Sequence, residues 1–316
     1  MTRQKILVNT AIHPEGLRFL EEEEFEPVVV SQVDPEASLR AVGECAGMVS
    51  NAIFAFDEAF FQKAPNLKVL GRMGVGYDNV DVEAATRHGV LVVNTPLPII
   101  EPVAEHTLLL MLAVARRLIQ GHHALGKGEW RGPGNAPGPE LAGRRLGLVG
   151  LGNTGRRVAE IATRGFRMKV SYFDRVERPE AEKTLGVRRC SFPELLAESD
   201  FVSVHVNLYP ETHHLLDAKA FSLMKPGCIF INVSRGAVVD EEALVAALRS
   251  GHLGGAGMDV FEAEPPGKDN PLWSLPNVVV TPHVAGWSLE SKIGTSMVVK
   301  DIVRVLKGEK PKHPVN

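Results

Sequence analysis

Three side chains have the types needed to reduce a carbonyl with a hydride: Arg235 in Asn232-Val-Ser-Arg-Gly-Ala-Val-Val-Asp240, Glu264 in Asp259-Val-Phe-Glu-Ala-Glu-Pro265, and His283 in Thr281-Pro-His-Val-Ala-Gly286. Such a reaction needs a cation to hold a substrate carboxylate and polarise its keto oxygen, and an acid to protonate the forming alkoxide. Arginine and histidine supply these. A carboxylate beside the imidazole would fix its tautomer and favour its protonated form. A lone histidine in a loop is usually a bystander and a glutamate before proline is usually just surface, so these residues gain meaning only from what surrounds them.

The surroundings include Gly150-Leu-Gly-Asn-Thr-Gly155, a G-x-G-x-x-G. An apolar strand, Leu146 to Val149, runs into it, a helical pattern from Arg156 to Arg164 follows, and a second strand ends at Asp174, 19 residues past Gly155. Each part has a task in dinucleotide binding. Gly150 permits the turn, Gly152 lets a pyrophosphate approach the backbone, Gly155 lets the helix pack on the strand, and the helix N-terminus faces the anion. Asp174 can accept hydrogen bonds from both adenosine ribose hydroxyls and would repel a ribose phosphate, which favours NAD. The adjacent Arg175 could bind that phosphate and leaves NADP as the less favoured alternative.

Two series of β-branched runs position these residues. The first comprises Lys5–Asn9, Pro27–Val30, Gly47–Ser50, Lys68–Gly71 and Val90–Asn94. The second comprises Arg145–Gly150, Val170–Asp174, Phe201–His205, Cys228–Asn232, Ala256–Asp259 and Val278–Thr281. Runs without alternation are strands buried on both faces, and helical segments between them imply parallel crossovers. The fold class is therefore α/β, with two doubly wound parallel sheets. Arg235 and His283 directly follow strands of the second sheet, where ligands of open parallel sheets bind. An apolar helix, Glu101–Arg117, with Pro102 near its start, bridges the two series. Gly126 to Gly143 is glycine- and proline-rich and reads as a loop. A helical segment from Leu289 to Leu306 is expected to return to the first domain, which makes that domain discontinuous. The run Glu21 to Glu24 reads as a solvated helix face.

Composition removes other classes. With 316 residues, two domains are expected at about 150 residues each, and 44% apolar and 23% charged residues exclude global disorder. Lys and Arg total 35 against 38 Asp and Glu, for a net charge of −3, and no basic stripe invites nucleic acid. The three cysteines fit neither disulfide nor zinc spacing. His122-His123 and His213-His214 are adjacent pairs and read as surface residues, so no metal is expected. No signal peptide or membrane span is visible, which points to a cytoplasmic protein without a membrane partner.

The fingerprint, the S-R-G-x-x-V-D block, the D-V-F-x-x-E-P block and the P-H-x-x-G block, in this order and spacing, resemble the D-isomer-specific 2-hydroxyacid dehydrogenases across nearly the whole chain. The resemblance implies a Rossmann cofactor domain, residues 101–287, inserted into a flavodoxin-like catalytic domain, residues 1–100 plus 288–316, and a homodimer. It implies that Arg235 binds the carboxylate and keto oxygen, that His283 is the acid or base, and that Glu264 is its partner. NAD would be held by Gly150, Gly152, Asn153, Thr154, Gly155, Asp174, Arg175, His205, Val206, Thr212, Val233, Ser234, Asp259 and Gly286. Val103 and Thr107, on the bridging helix, would approach the nicotinamide. Gly71-Arg-Met-Gly-Val-Gly-Tyr-Asp-Asn-Val-Asp81 is similar to the family's substrate loop, where the N–H groups of Val75 and Gly76 would cradle the carboxylate with Asn51 nearby. The family's phosphoglycerate dehydrogenases tend to carry a cation after the third strand. This chain has Ser50-Asn51-Ala52 there, which disfavours phosphorylated substrates. Asn207 departs from the proline common in the H-x-P-L block and bears on the adenine pocket. The expected activity is NAD-dependent reduction of a small 2-keto acid, such as glyoxylate or hydroxypyruvate, to the D-2-hydroxy acid. The alternative is a dinucleotide-sensing, corepressor-like binding protein of the same fold. The formate dehydrogenase branch resembles a Gln-His pair where this chain has Pro282-His283.

Overall fold

The computed structural model describes residues 3–31, 34–51, 54–130 and 137–316. Ala52 and the centre of the glycine-rich loop, 131–136, lie outside the described residues. The chain divides into two compact units, Met1–Ile99 with Trp287–Asn316, and Ile100–Gly286.

The first unit is a five-stranded parallel sheet of β1 (Lys5–Val8), β2 (Glu26–Val29), β3 (Cys45–Ser50), β4 (Val69–Arg72) and β5 (Leu91–Asn94), in the order β2-β1-β3-β4-β5. This is the flavodoxin-like order. Both faces are covered, as the unbroken apolar runs require. One face carries Leu7, Met48, Leu70 and Val92 against Phe56, Phe60 and Phe61; the other carries Ile6, Val49 and Val69 against Val298, Val299 and Ile302. The helix Val298–Leu306 lies so close to the sheet that a Cβ on Gly71 would stand 2.5 Å from Ile302. Full burial of Ile302 contributes about 1.5–3 kcal/mol. The last residues pair with the edge strand: Val93 bridges Pro314, and Val315 donates to the Val92 carbonyl. Asp301, only 5% exposed, holds this tail by accepting from the N–H groups of Lys312 and His313.

The second unit is a seven-stranded parallel sheet of β6 (Arg145–Val149), β7 (Lys169–Phe173), β8 (Arg188–Arg189), β9 (Phe201–Val204), β10 (Cys228–Asn232), β11 (Leu253–Met258) and β12 (Val278–Val280), in the order β12-β11-β10-β9-β6-β7-β8. The order reverses between β6 and β9, and the glycine loop follows β6 at that switch point. Its core includes Val149, Val202, Val204, Phe221, Phe230, Leu244 and Met258.

Four elements differ from the sequence reading. The two-residue β8 has no apolar run to announce it. The C-terminal helical segment is two helices, Leu289–Ser296 and Val298–Leu306, broken at Met297. The hydroxyls of Thr295 and Ser296 bond back to carbonyls one turn earlier, a pattern that bends and ends helices. The bridging helix is Ile100–Ala115, and a second helix, Leu118–Gly126, starts after Arg117 takes a left-handed conformation, φ +52°. The glutamate run leaves its helix at Glu22, and Glu24 has φ +66°. Among the described residues no helix is long and apolar enough to cross a membrane, and no group of three or more His, Cys, Asp or Glu is arranged to hold a metal.

Candidate active site

The glycine loop owes its shape to contacts that side chains would block. Gly150 has φ +98°, and a Cβ there would meet the His205 carbonyl oxygen at 2.6 Å. A Cβ on Gly155 would meet the Gly150 carbonyl oxygen at 2.4 Å, so the helix Asn153–Arg164 can approach β6 only without one. Gly152 is different: a Cβ there would meet nothing within 4 Å. The protein leaves that space open at the N-terminus of a 12-residue helix whose first turn has no side-chain cap. Uncapped N–H groups and the positive end of the helix dipole face it, with Asn153 and Thr154 as the first helical residues.

Asp174 follows β7. Its carboxylate accepts from the N–H of Leu151 at 2.8 Å and of Val176 at 2.9 Å, which ties it to the glycine loop. Three arginines surround it. Arg175 lies over the Tyr209 ring at 5.4 Å, Arg178 stands 3.8 Å from the carboxylate, and Arg189 donates to the Asp174 carbonyl at 3.3 Å. Across the switch point His205 shares a hydrogen bond with Ser203 at 2.9 Å, and burial pushes its imidazole down to about 4. It is neutral near neutral pH. Val206 and Thr212 lie beyond it; the Thr212 hydroxyl donates to the Asn207 carbonyl and accepts from the Tyr209 N–H, so it is committed to shaping its own turn.

After β10, Val233 is buried, and Ser234 and Arg235 are partly buried. Asn232 ties the turn, accepting from the Ser234 N–H at 3.0 Å and donating to the Arg235 carbonyl at 2.9 Å. Gly236 must lack a side chain because a Cβ would stand 1.8 Å from the Phe261 carbonyl. That contact presses the Arg235 turn directly on the segment carrying Glu264. One Glu264 oxygen accepts from the Phe261 N–H at 3.0 Å, and the other meets His283 Nδ1 at 2.6 Å. Burial works to raise the Glu264 pKa from its ordinary 4.5, but the His283 hydrogen bond, the Phe261 N–H and the charges of His283 and Arg235 outweigh it and leave it lowered. The carboxylate is therefore ionised at neutral pH and can only accept, so Nδ1 carries a proton and Nε2 is left for a ligand. The His283 side chain is 42% exposed, enough to reach one.

His283 has φ +54°, a left-handed conformation unusual for a residue with a side chain. Asp259 holds it there. The Asp259 carbonyl accepts from the His283 N–H at 2.7 Å, and its carboxylate accepts from Val284 N–H at 2.9 Å, Ala285 N–H at 2.8 Å and the Thr281 hydroxyl at 2.5 Å, with Gly286 closing the segment. Asp259 is 0% exposed.

In the first unit the loop after β4 has Gly74 at φ +107°, and neither Val75 N–H nor Gly76 N–H has a hydrogen-bond partner among the described residues. The loop is braced from below. Buried Arg72 donates to Asn79 Oδ1 at 3.2 Å, and the Asn79 amide reaches the carbonyls of Asn51 at 3.2 Å and Phe54 at 2.6 Å. Asn51 itself donates to Thr10 at 2.9 Å.

The profile described as D-isomer specific 2-hydroxyacid dehydrogenase, NAD binding domain, matches residues 108–285. The glyoxylate reductase of Thermococcus litoralis is 38% identical, covering 99% of this chain and 97% of that protein. The chain belongs to the D-isomer-specific 2-hydroxyacid dehydrogenase family. Within this family, the D-3-phosphoglycerate dehydrogenase of Archaeoglobus fulgidus is 37% identical over 99% of this chain and 59% of that protein. The TT0316 protein from Thermus thermophilus superposes with a TM-score of 0.92 at 39% identity, covering 99% of this chain and 100% of that one. Membership makes the chain an NAD-dependent D-2-hydroxyacid dehydrogenase.

Two of the residues expected at the cofactor are engaged by hydrogen bonds within the chain. Thr107 is 0% exposed and spends its hydroxyl on the Val103 carbonyl at 2.7 Å; Asp259 has its carboxylate filled by its own loop. The helix bearing Thr107 is apolar on nearly all sides, so periodicity could not say which side is covered. Asn79 and Arg72 had a readable signal: a charged residue ending a fully buried strand needs a partner.

Proposed function

We propose that this dehydrogenase reduces a short, unphosphorylated 2-keto acid, glyoxylate or hydroxypyruvate, to the 2-hydroxy acid with NADH, and that the units 1–99 with 287–316 and 100–286 act as substrate and cofactor domains. The observation that carries the chemistry is the 2.6 Å contact between His283 Nδ1 and Glu264. The open space at Gly152 and the uncapped helix behind it fit a pyrophosphate, with Gly150, Asn153, Thr154 and Gly155 forming the cradle and Asp174 facing the ribose. Val206, Val233 and Ser234 stand at the ends of neighbouring strands of the same sheet. When bound, NADH supplies the hydride. Arg235 binds the keto acid carboxylate and draws charge onto the keto oxygen; within the first unit, the N–H groups of Val75 and Gly76 are of the kind that cradles a carboxylate. His283 Nε2 delivers the proton to that oxygen, and Glu264 stabilises the imidazolium before transfer. Oxidation of the hydroxy acid uses the same groups in reverse.

Support for the substrate class comes from the curated glyoxylate reductases aligned along nearly all of this chain. Asn51, whose amide is held by Thr10, stands after β3 where a cation would suit a phosphate. The exposed Leu109, Leu118, Ile119, Leu125 and Trp130, on and after the two helices that open the second unit, suit burial in a homodimer. The cytoplasm is the compartment we assign, and neither nucleic acid nor membrane is a partner in this reading. The test is a panel of 2-keto acids followed by NADH absorbance. Turnover of glyoxylate or hydroxypyruvate well above 3-phosphohydroxypyruvate is expected. NADH binding with no turnover on any member would favour the sensing role instead.

A further inference from the structure

The loop that holds His283 in its left-handed conformation meets the long helix of the second unit at His106. His106, on the helix Ile100–Ala115 and with its side chain 13% exposed, places Nε2 2.9 Å from the Thr281 hydroxyl and 3.7 Å from Asp259. The directions of these bonds are fixed by proton counting. An ionised Asp259 carboxylate only accepts, so the single Thr281 hydroxyl proton, 2.5 Å away, goes to it. The hydroxyl oxygen then accepts from His106, which requires the proton on Nε2.

We propose that His106 is a positioning residue for His283, acting through Thr281 and Asp259. Threonine is β-branched and only one of its staggered rotamers aims the hydroxyl at Asp259; the His106 N–H selects that rotamer. Asp259 in turn clamps the Val284 and Ala285 N–H groups with its carboxylate and the His283 N–H with its carbonyl. A left-handed non-glycine residue costs of order 1–3 kcal/mol and persists only where its surroundings over-determine it. The chain His106–Thr281–Asp259 supplies part of that determination and so sets where Nε2 of His283 points.

This inference rests on reading His283 as the proton donor, and its test separates the two. The full-length enzyme is compared with His106→Leu, His106→Gln, Thr281→Val, Thr281→Ser, the double variant His106→Leu/Thr281→Val, and His283→Ala. Measured are kcat, the keto acid KM, the NADH Kd and Tm. His106→Leu and Thr281→Val should each lower kcat roughly 10- to 100-fold, the effect of sub-ångström misplacement of a reacting group, while the NADH Kd stays within about threefold. The double variant should lose no more than the worse single one, because both break the same chain. His106→Gln and Thr281→Ser, which keep a donor and a hydroxyl, should recover most of the rate. A kcat within twofold of wild type in His106→Leu, losses that multiply in the double variant, or a glutamine variant as slow as the leucine one overturns the proposal; so does a fall in Tm with kcat per NADH-binding site unchanged. An active His283→Ala enzyme overturns the underlying reading, whereas an inactive one beside an unaffected His106→Leu overturns only this inference.

Discussion

Replacing Gly152 by alanine should separate folding from dinucleotide binding. The Gly152 backbone, φ −70° and ψ −163°, is open to any residue, and a Cβ there meets nothing within 4 Å. Stability should therefore change by no more than about 1 kcal/mol, in either direction. The methyl group instead occupies the space through which a pyrophosphate reaches the first N–H groups of the helix Asn153–Arg164. A carbon–oxygen contact needs about 3.4 Å where an N–H···O bond needs about 2.9 Å, so the anion is pushed off its donors. Hydrogen bonds to charged groups are worth about 1.5–3 kcal/mol each, and weakening one raises the NADH Kd at least tenfold, about 1.4 kcal/mol. Gly155→Ala is the contrast. Its Cβ would stand 2.4 Å from the Gly150 carbonyl oxygen, a backbone atom that cannot swing away. Overpacking of that kind costs about 1–3 kcal/mol and should lower Tm by several degrees. NADH fluorescence titration and thermal melting on both variants decide the matter. A Gly152→Ala enzyme that binds NADH like wild type, or one that melts as early as Gly155→Ala, would refute the assignment of the loop.

Three further outcomes follow from the same geometry. Asp174→Ala should narrow the preference for NADH over NADPH, since it removes the carboxylate and leaves Arg175, Arg178 and Arg189 in place; titration of the two cofactors measures it, and a wild-type preference for NADPH would show that the arginines decide instead. Arg235→Lys keeps the charge but loses the planar fork, so kcat/KM should fall by roughly 10²-fold, about 2.7 kcal/mol; a variant within twofold of wild type removes Arg235 from the site. Glu264 is held below its ordinary 4.5, so its stabilising contribution is complete above about that pH and disappears as pH falls through its lowered value. Melting curves of wild type and Glu264→Gln should therefore converge as pH is lowered from 6 toward the acid limit, and a gap that stays constant would contradict the pairing.

The α/β class is legible because its strands are short β-branched runs bounded by helical patterns, and both sheets follow from that alone. β8 is not, because two exposed arginines at a sheet edge bury nothing that a hydrophobic pattern could register. The break at Met297 depends on hydroxyls bonding back along the helix, which leaves the apolar spacing intact. At the candidate site, the rule that ligand residues follow parallel strands brings Arg235 and His283 forward, and the motif order pairs His283 with Glu264. The interior supports are harder to read. The Asp259 carboxylate binds backbone N–H groups of a loop 25 and 26 residues away, and backbone donors carry no sequence signature. Thr107 and His106 are neighbours on one helix, yet one is sealed inside and the other joins the His283 loop; a helix apolar on nearly all sides gives no register to separate them.

The central claim is that His283, paired with Glu264, delivers the proton to the keto oxygen while the glycine loop and Asp174 hold NADH independently of it. The direct measurement is single-turnover oxidation of prebound NADH by glyoxylate in wild type and His283→Ala, alongside NADH titration of both. The account predicts equal NADH affinity within about threefold and a rate at least roughly 10³-fold lower in the variant, as expected for loss of a general acid. NADH oxidation in His283→Ala at a rate near that of wild type would contradict it.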